Sequence, residues 1–175
     1  MPAITERLSE TLSKLNAPVG SASQRQADAA DWWRELGQRL NPLAWVDLET
    51  MGPLDGDLPA DVFTGVIDNL VRNAAEKHLR EPDLRLGIRL SVVDDECELV
   101  VCDNGTAMAD RLASSLFLGP VASESGYGIG LYQASRHAGA AGYRLELIEN
   151  RTGRVCFRLA KTPALGGAAT RDPSR

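Results

Sequence analysis

The fold class turns on residues 84–103, LRLGIRLSVVDDECELVVCD. Two apolar runs, 84–93 and 96–103, flank Asp94-Asp95, a pair suited to a tight hairpin turn. The chain thus pairs two strands directly, where a doubly wound sheet would place a helix after each one. A second such pair lies downstream, YRLELIEN (143–150) and GRVCFRLA (153–160), around the turn RTG (151–153). Upstream, LAWVDLE (43–49) reads as a strand and MGPLDGD (51–57) as a loop. Leu58-Pro59 opens the longest helical pattern, with Pro59 suited to its first turn. Val62, Phe63, Val66, Ile67, Leu70, Val71 and Ala74 mark its buried face, and Pro82 ends it. Residues 104–125 are irregular, with a short helical piece in MADRLASSLF (108–117). A further helix runs from Gly128 to about Ala140, ended by Gly139 or Gly142. The order is strand, helix, paired strands, irregular lid, helix, paired strands. It predicts an α+β fold: a two-layer sandwich with a mixed, mostly antiparallel sheet and helices on one face.

The 175 residues suffice for one domain with a real core, and the formal net charge is −5. That balance argues against a general nucleic-acid or anionic-membrane binder, which needs a basic face. No apolar run is long enough to span a membrane. The N-terminus lacks the apolar core of a signal peptide. Cys97, Cys102 and Cys156 are odd in number and form no C-x-x-C, so three reduced thiols and a reducing compartment are expected. Residues 4–16, ITERLSETLSKLN, carry Ile4, Leu8, Leu12 and Leu15 as a narrow apolar helical stripe. Residues 21–27 read as a linker, and Asp28 or Asp31 caps a short helix through WWRELGQRL. The tail from 162 to 175 is Pro-, Gly- and Ala-rich and reads as disordered.

Three short segments carry residues suited to chemistry. On the long helix, at 100° per residue, Asn73 lies about 40° around from Asn69, with Glu76 and Arg80 each within about 20° of Asn69. Amide and carboxylate oxygens on one stripe suit Mg²⁺, though a solvated helix face looks the same. Asp103 ends an apolar strand before the turn-forming Asn104-Gly105. A carboxylate there can accept a hydrogen bond from an amino group such as adenine's, or simply form the turn. SGYGIGL (125–131) opens a helix with three glycines at alternate positions. Its bare backbone N–H groups and the helix's positive end suit a phosphate; a plain turn is the competing reading.

Taken together, NLVRNA (69–74), DNG (103–105) and GYGIGL (126–131) resemble the nucleotide-binding domain of bacterial sensor histidine kinases. That superfamily also holds the gyrase-, Hsp90- and MutL-type ATPases. The likeness covers roughly residues 42–160. It implies a Bergerat-type ATP-binding fold with ATP and Mg²⁺ as ligands. Asn73 matches the asparagine that contacts Mg²⁺, with Asn69 its companion one turn earlier. Asp103 matches the carboxylate that reads the adenine amino group, and Gly105 lets the base approach. Gly126, Gly128 and Gly130 match the glycines that hold the phosphates, while Ile129 and Leu131 pack toward the base. Phe117 falls in the lid's phenylalanine box, and Lys77 or Arg72 is placed to reach a phosphate.

The sequence departs from the family at four points. Ala107 replaces the second glycine of D-x-G-x-G, a position open to strain. The lid is short. Asn69 stands where gyrase-like ATPases carry a glutamate base, which favours transfer over hydrolysis. Neither His78 nor His137 sits in a phosphoacceptor context. The resemblance therefore implies a catalytic domain that donates the γ-phosphoryl group to a histidine on a separate dimerisation domain. The parent would be a homodimer, anchored at the inner membrane or not, with a response regulator as partner and this domain in the cytoplasm. Residues 1–41 would be a dimerisation-helix remnant and linker, 42–161 the catalytic domain. The alternatives are a stand-alone anti-sigma-factor-type serine kinase and a degenerate interaction module.

Overall fold

The computed structural model describes residues 25–93, 96–119 and 127–163. Five strands form the main sheet: β2 (Val46–Met51), β4 (Leu86–Val93), β5 (Glu96–Asp103), β6 (Tyr143–Arg151) and β7 (Arg154–Lys161), in the order β2-β4-β5-β7-β6. Only β2 and β4 pair in parallel; the rest are antiparallel. Val93 pairs with Glu96, the register a two-residue hairpin gives, and Gly153 turns the second hairpin at φ 88°. The predicted α+β class and mixed sheet are what the molecule has.

Alternation along the strands sets the two faces. Leu86, Ile88 and Leu90 of β4, Leu99 and Val101 of β5, and Val155, Phe157 and Leu159 of β7 are buried in one apolar cluster. Against them lie α1 (Ala29–Leu40), α2 (Ala60–His78) and α4 (Tyr127–Ala140). The opposite face carries cross-strand ion pairs, Arg89 with Glu49 at 2.8 Å and Arg158 with Glu146 at 2.8 Å. Phe63 centres the core, edge-on to both Trp32 and Tyr143 with ring centroids 5.7 and 5.3 Å away.

Two expectations change and a third is narrowed. First, residues 26–40 belong to the core rather than to a linker and remnant. Asp28 caps α1 by accepting from the Asp31 N–H at 2.9 Å, and Ala29, Trp32, Leu36 and Leu40 are buried. The short β1 (Gln26–Asp28) pairs with β3 (Asp57–Pro59), and this pairing reshapes the start of α2. Pro59 is therefore an extended cap residue rather than first-turn helix, and Ala60 donates to the Arg25 carbonyl at 2.9 Å. Second, Cys102 and Cys156 form a disulfide, leaving Cys97 as the free thiol. They face each other directly across β5 and β7 with Cα atoms 4.1 Å apart, a proximity that count and spacing alone do not reveal. Third, of the two glycines expected to end the last helix it is Gly142, at φ 79°, that does so, while Gly139 lies inside α4. The stripe at 4–16, the turn at 94–95, residues 120–126 and the tail from 164 lie outside the described residues.

Candidate functional site

Helix α2 runs across the sheet with its apolar side down, and its last two turns bring polar residues to the end of β5. Asn73, only 8% exposed, is the buried polar side chain of the described core. It lines a slot with Leu70, Lys77, Val101, Asp103 and Phe157. Its apolar lining comes from strand residues, from Leu70 and Ala74 of α2 and from Met108; its polar groups come from α2 and from Asp103. Its cavity measures about 40 Å³.

Asp103 is held from two sides. Its Oδ1 accepts from Lys77 Nζ at 2.6 Å and from the Gly105 N–H at 2.9 Å. Each side chain of the Lys77–Asp103 pair is 12% exposed. Lys77 also donates to the Thr106 carbonyl at 2.7 Å. The turn beyond Asp103 is pinned in detail. Asn104 Oδ1 accepts from the Arg85 N–H at 2.6 Å, and Glu81 accepts from the Thr106 N–H at 2.9 Å. Ala107 donates to Thr152 Oγ1 at 3.2 Å. Met108, which lines the slot, exchanges two hydrogen bonds with the Asn150 amide, both 2.9 Å.

Gly105 is needed for a close approach. A Cβ there would stand 2.5 Å from both Lys77 Cε and Glu81 Oε2. The space beside it thus holds the lysine stem. Gly130 marks a second close approach, where α4 crosses α2. A Cβ on Gly130 would meet Asn69 Oδ1 at 2.2 Å. Asn69 is fixed there by donating to the Gly65 carbonyl at 2.7 Å and accepting from Arg72 at 2.6 Å.

The predicted residues therefore fall into groups. Asn73, Lys77 and Asp103 converge on the slot, Gly105 borders the Lys77 stem just outside it, and Asn69 and Gly130 meet one turn of α2 earlier. Lys77 sits on Asp103, at the end expected for the base rather than for phosphate. Ile129 stands 51% exposed, and Leu131 at 1% belongs to the core, so neither packs into the slot. Phe117 rests partly buried against the core. Gly128 lies in the first turn of α4, and Gly126 lies outside the described residues. Sequence reasoning passed over Glu81, Asn150 and Thr152, which brace the segment after Asp103. They make long-range contacts from a helix end and a hairpin turn, and no local pattern marks them.

Among the described residues no cluster of three or more His, Cys, Asp or Glu side chains stands ready for a metal. The oxygen donors at the slot fit a Mg²⁺ that keeps most of its waters and arrives with phosphate. No helix of the described residues is long and apolar enough to cross a membrane.

Comparison with solved structures extends the likeness beyond the slot. The nucleotide-free catalytic domain of histidine kinase ThkA superposes with a TM-score of 0.63 at 20% identity, covering 78% of this chain and 95% of that one. The mycobacterial sensor histidine kinase MprB gives 0.54 at 19%, covering 78% and 97%. Full-length ShkA in complex with AMPPNP gives 0.66 at 17%, covering 91% of this chain and 36% of that one. No curated protein matches the chain in sequence. The family model described as histidine kinase-, DNA gyrase B- and HSP90-like ATPase matches residues 60–165, from the start of α2 through β7 and so across every element that builds the slot. By that match, over more than half its length, the chain belongs to the histidine kinase-, DNA gyrase B- and HSP90-like ATPase family.

Proposed function

We propose that the chain is the ATP-binding catalytic domain of a two-component sensor histidine kinase, which binds Mg–ATP and passes the γ-phosphoryl group to a histidine on a separate dimerisation segment. The observation that carries the reading is the convergence of Asn73 and Asp103, from different elements, on one narrow apolar slot. Asp103 accepts from the amino group of the base. Asn73 offers an amide oxygen toward the metal, with Asn69 and the Gly130 crossing fixing the helix behind it. When bound, Mg²⁺ neutralises charge on the phosphate oxygens. The chain's own task is then positioning, which is most of what phosphoryl transfer requires.

Asn69 is an amide, not a carboxylate, so it offers no general base to activate water, and transfer is favoured over hydrolysis. Neither histidine suits an acceptor. His78 stacks on Trp45 with ring centroids 4.9 Å apart, and His137, in the last turn of α4, lies between Arg136 and Ala138 with no acidic neighbour in the chain. A response regulator and a homodimeric parent are the partners this reading calls for.

Titration calorimetry with ADP and Mg²⁺ tests it. Asp103→Asn turns an acceptor of the base's amino group into a mixed donor and acceptor and weakens binding by about 10- to 150-fold, the range of a hydrogen bond to a charged group. Asn73→Ala weakens Mg–ADP far more than adenosine. Unchanged nucleotide binding in both variants would sink these roles.

A further inference from the structure

The Asp103 carboxylate that should accept the base's amino group already carries an amine on Oδ1. Lys77 Nζ lies 2.6 Å from it, and both side chains keep only 12% of their exposure. A lysine ammonium offers a carboxylate the same N–H donor that a purine amino group offers, with a full positive charge added. The lysine also takes up room. Its side chain lines the slot together with Asp103 and Asn73. The stem lies flat against the backbone because residue 105 has no side chain; a Cβ there would be 2.5 Å from Lys77 Cε.

The geometry points to Lys77 as an internal competitor for the base, a role that rests on the nucleotide reading above: its ammonium holds the slot closed on Asp103, and a nucleotide enters only as Lys77 swings away. The structure offers the displaced ammonium a new partner. Glu81 Oε2 and Lys77 Nζ flank the same point beside Gly105, at 2.5 and 2.8 Å from where its Cβ would be. Release of Lys77 also frees the Thr106 carbonyl, to which it donates at 2.7 Å. Slot opening is thereby coupled to the segment that leads through Met108 into α3 (Asp110–Ser115).

A charge-assisted hydrogen bond of this kind biases the closed arrangement by about 10- to 150-fold. Apparent affinity falls by the fraction of molecules that are open. Removing the amine therefore tightens base binding by at least about tenfold.

Adenosine is the decisive probe, because it has no phosphate for Lys77 to touch. Calorimetry compares adenosine and Mg–ADP binding to the whole chain as wild type, Lys77→Met and Lys77→Gln, with folding checked by circular dichroism. The methionine keeps an unbranched stem without the charge. If leaving Asp103 without its partner prevents that variant from folding, the glutamine variant decides: its neutral amide can still satisfy Asp103 but lacks the charge that makes Lys77 the stronger competitor, so it too should bind adenosine more tightly. Tighter adenosine binding in the folded variants supports the inference. Unchanged or weaker adenosine binding overturns it, while wild-type Mg–ADP binding that is sensitive to Asp103→Asn leaves the nucleotide reading standing. Absence of any adenosine or Mg–ADP binding in wild type and in folded variants removes the nucleotide reading, and this inference with it.

Discussion

Replacing Gly130 by alanine sets a smaller gain against a larger loss. In isolation the change favours the helix by about 0.5–1 kcal/mol, because glycine gives up more backbone freedom than alanine. Here the new methyl would stand 2.2 Å from Asn69 Oδ1 and 2.6 Å from Arg72 Nη2. Arg72 is at the surface and moves into solvent at little cost. Asn69 must rotate, and it then loses its 2.7 Å hydrogen bond to the Gly65 carbonyl and its 2.6 Å bond from Arg72. These contribute together about 1.5–2 kcal/mol. The net expectation is a loss of about 1 kcal/mol, or roughly 2–4 °C in Tm for a chain of this size. Urea unfolding of a four-member cycle checks the cause. With Asn69→Ala in place the obstacle is gone, so Gly130→Ala should stabilise that background by its helix gain alone. The coupling between the two sites is then about 1.5 kcal/mol, within the range of contacting residues. Equal stabilisation in both backgrounds would mean that α2 and α4 do not touch at this point. A loss above about 3 kcal/mol in both would mean that the helix backbones, not Asn69, obstruct the methyl.

Alkaline pH gives a second expectation. Burial, with the Asp57 charge adding, pushes the Cys97 thiol from 9.0 up to about 11, and burial pushes the Tyr143 phenol from 10.0 up to about 12, with Cys97 and Glu96 adding. Both values are raised on folding, so their contribution is complete below pH 9 and is lost as pH rises through 11 and 12. Urea midpoints should fall over that window, Cys97→Ala should flatten its lower half, and a flat profile to pH 12 contradicts the packing at β5. Reduction gives a third. The Cys102–Cys156 bridge closes a separation of 54 residues, so dithiothreitol should lower stability by about 2–4 kcal/mol. Thiol titration of the unreduced, denatured chain should find Cys97 alone reactive, and three reactive thiols would contradict the bridge.

The strands and long helices were legible because each is specified locally. Direct hairpin pairing fixed the fold class, and the apolar face of residues 62–74 lies against the sheet as its spacing predicts. What escaped was set by partners distant in sequence. Pro59 reads as a helix starter, yet its pairing with Gln26 in β1 holds it extended. Residues 26–40 read as peripheral because α1 shows only a short pattern, while Trp32 meets Phe63 across the core and donates to Thr64 Oγ1 at 3.0 Å. The cysteine pair depended on the register of β5 against β7, which no spacing rule encodes.

The site was divided in the same way. Asn73 and Asp103 were legible because a helical stripe and a strand end constrain where a side chain can go. Lys77 was legible only as a cation near the nucleotide, since a four-carbon stem reaches in several directions from the same Cα. Its direction is decided by Gly105, twenty-eight positions later, which leaves a channel for the stem, and by Asp103, which ends it. Glycine at 105 was read as clearance for a base. In the structure that clearance admits an ammonium, and the two uses exclude each other. One vacancy that serves either occupant is the physical basis for competition: whatever draws Lys77 toward Glu81 opens the slot, and whatever returns it to Asp103 closes it.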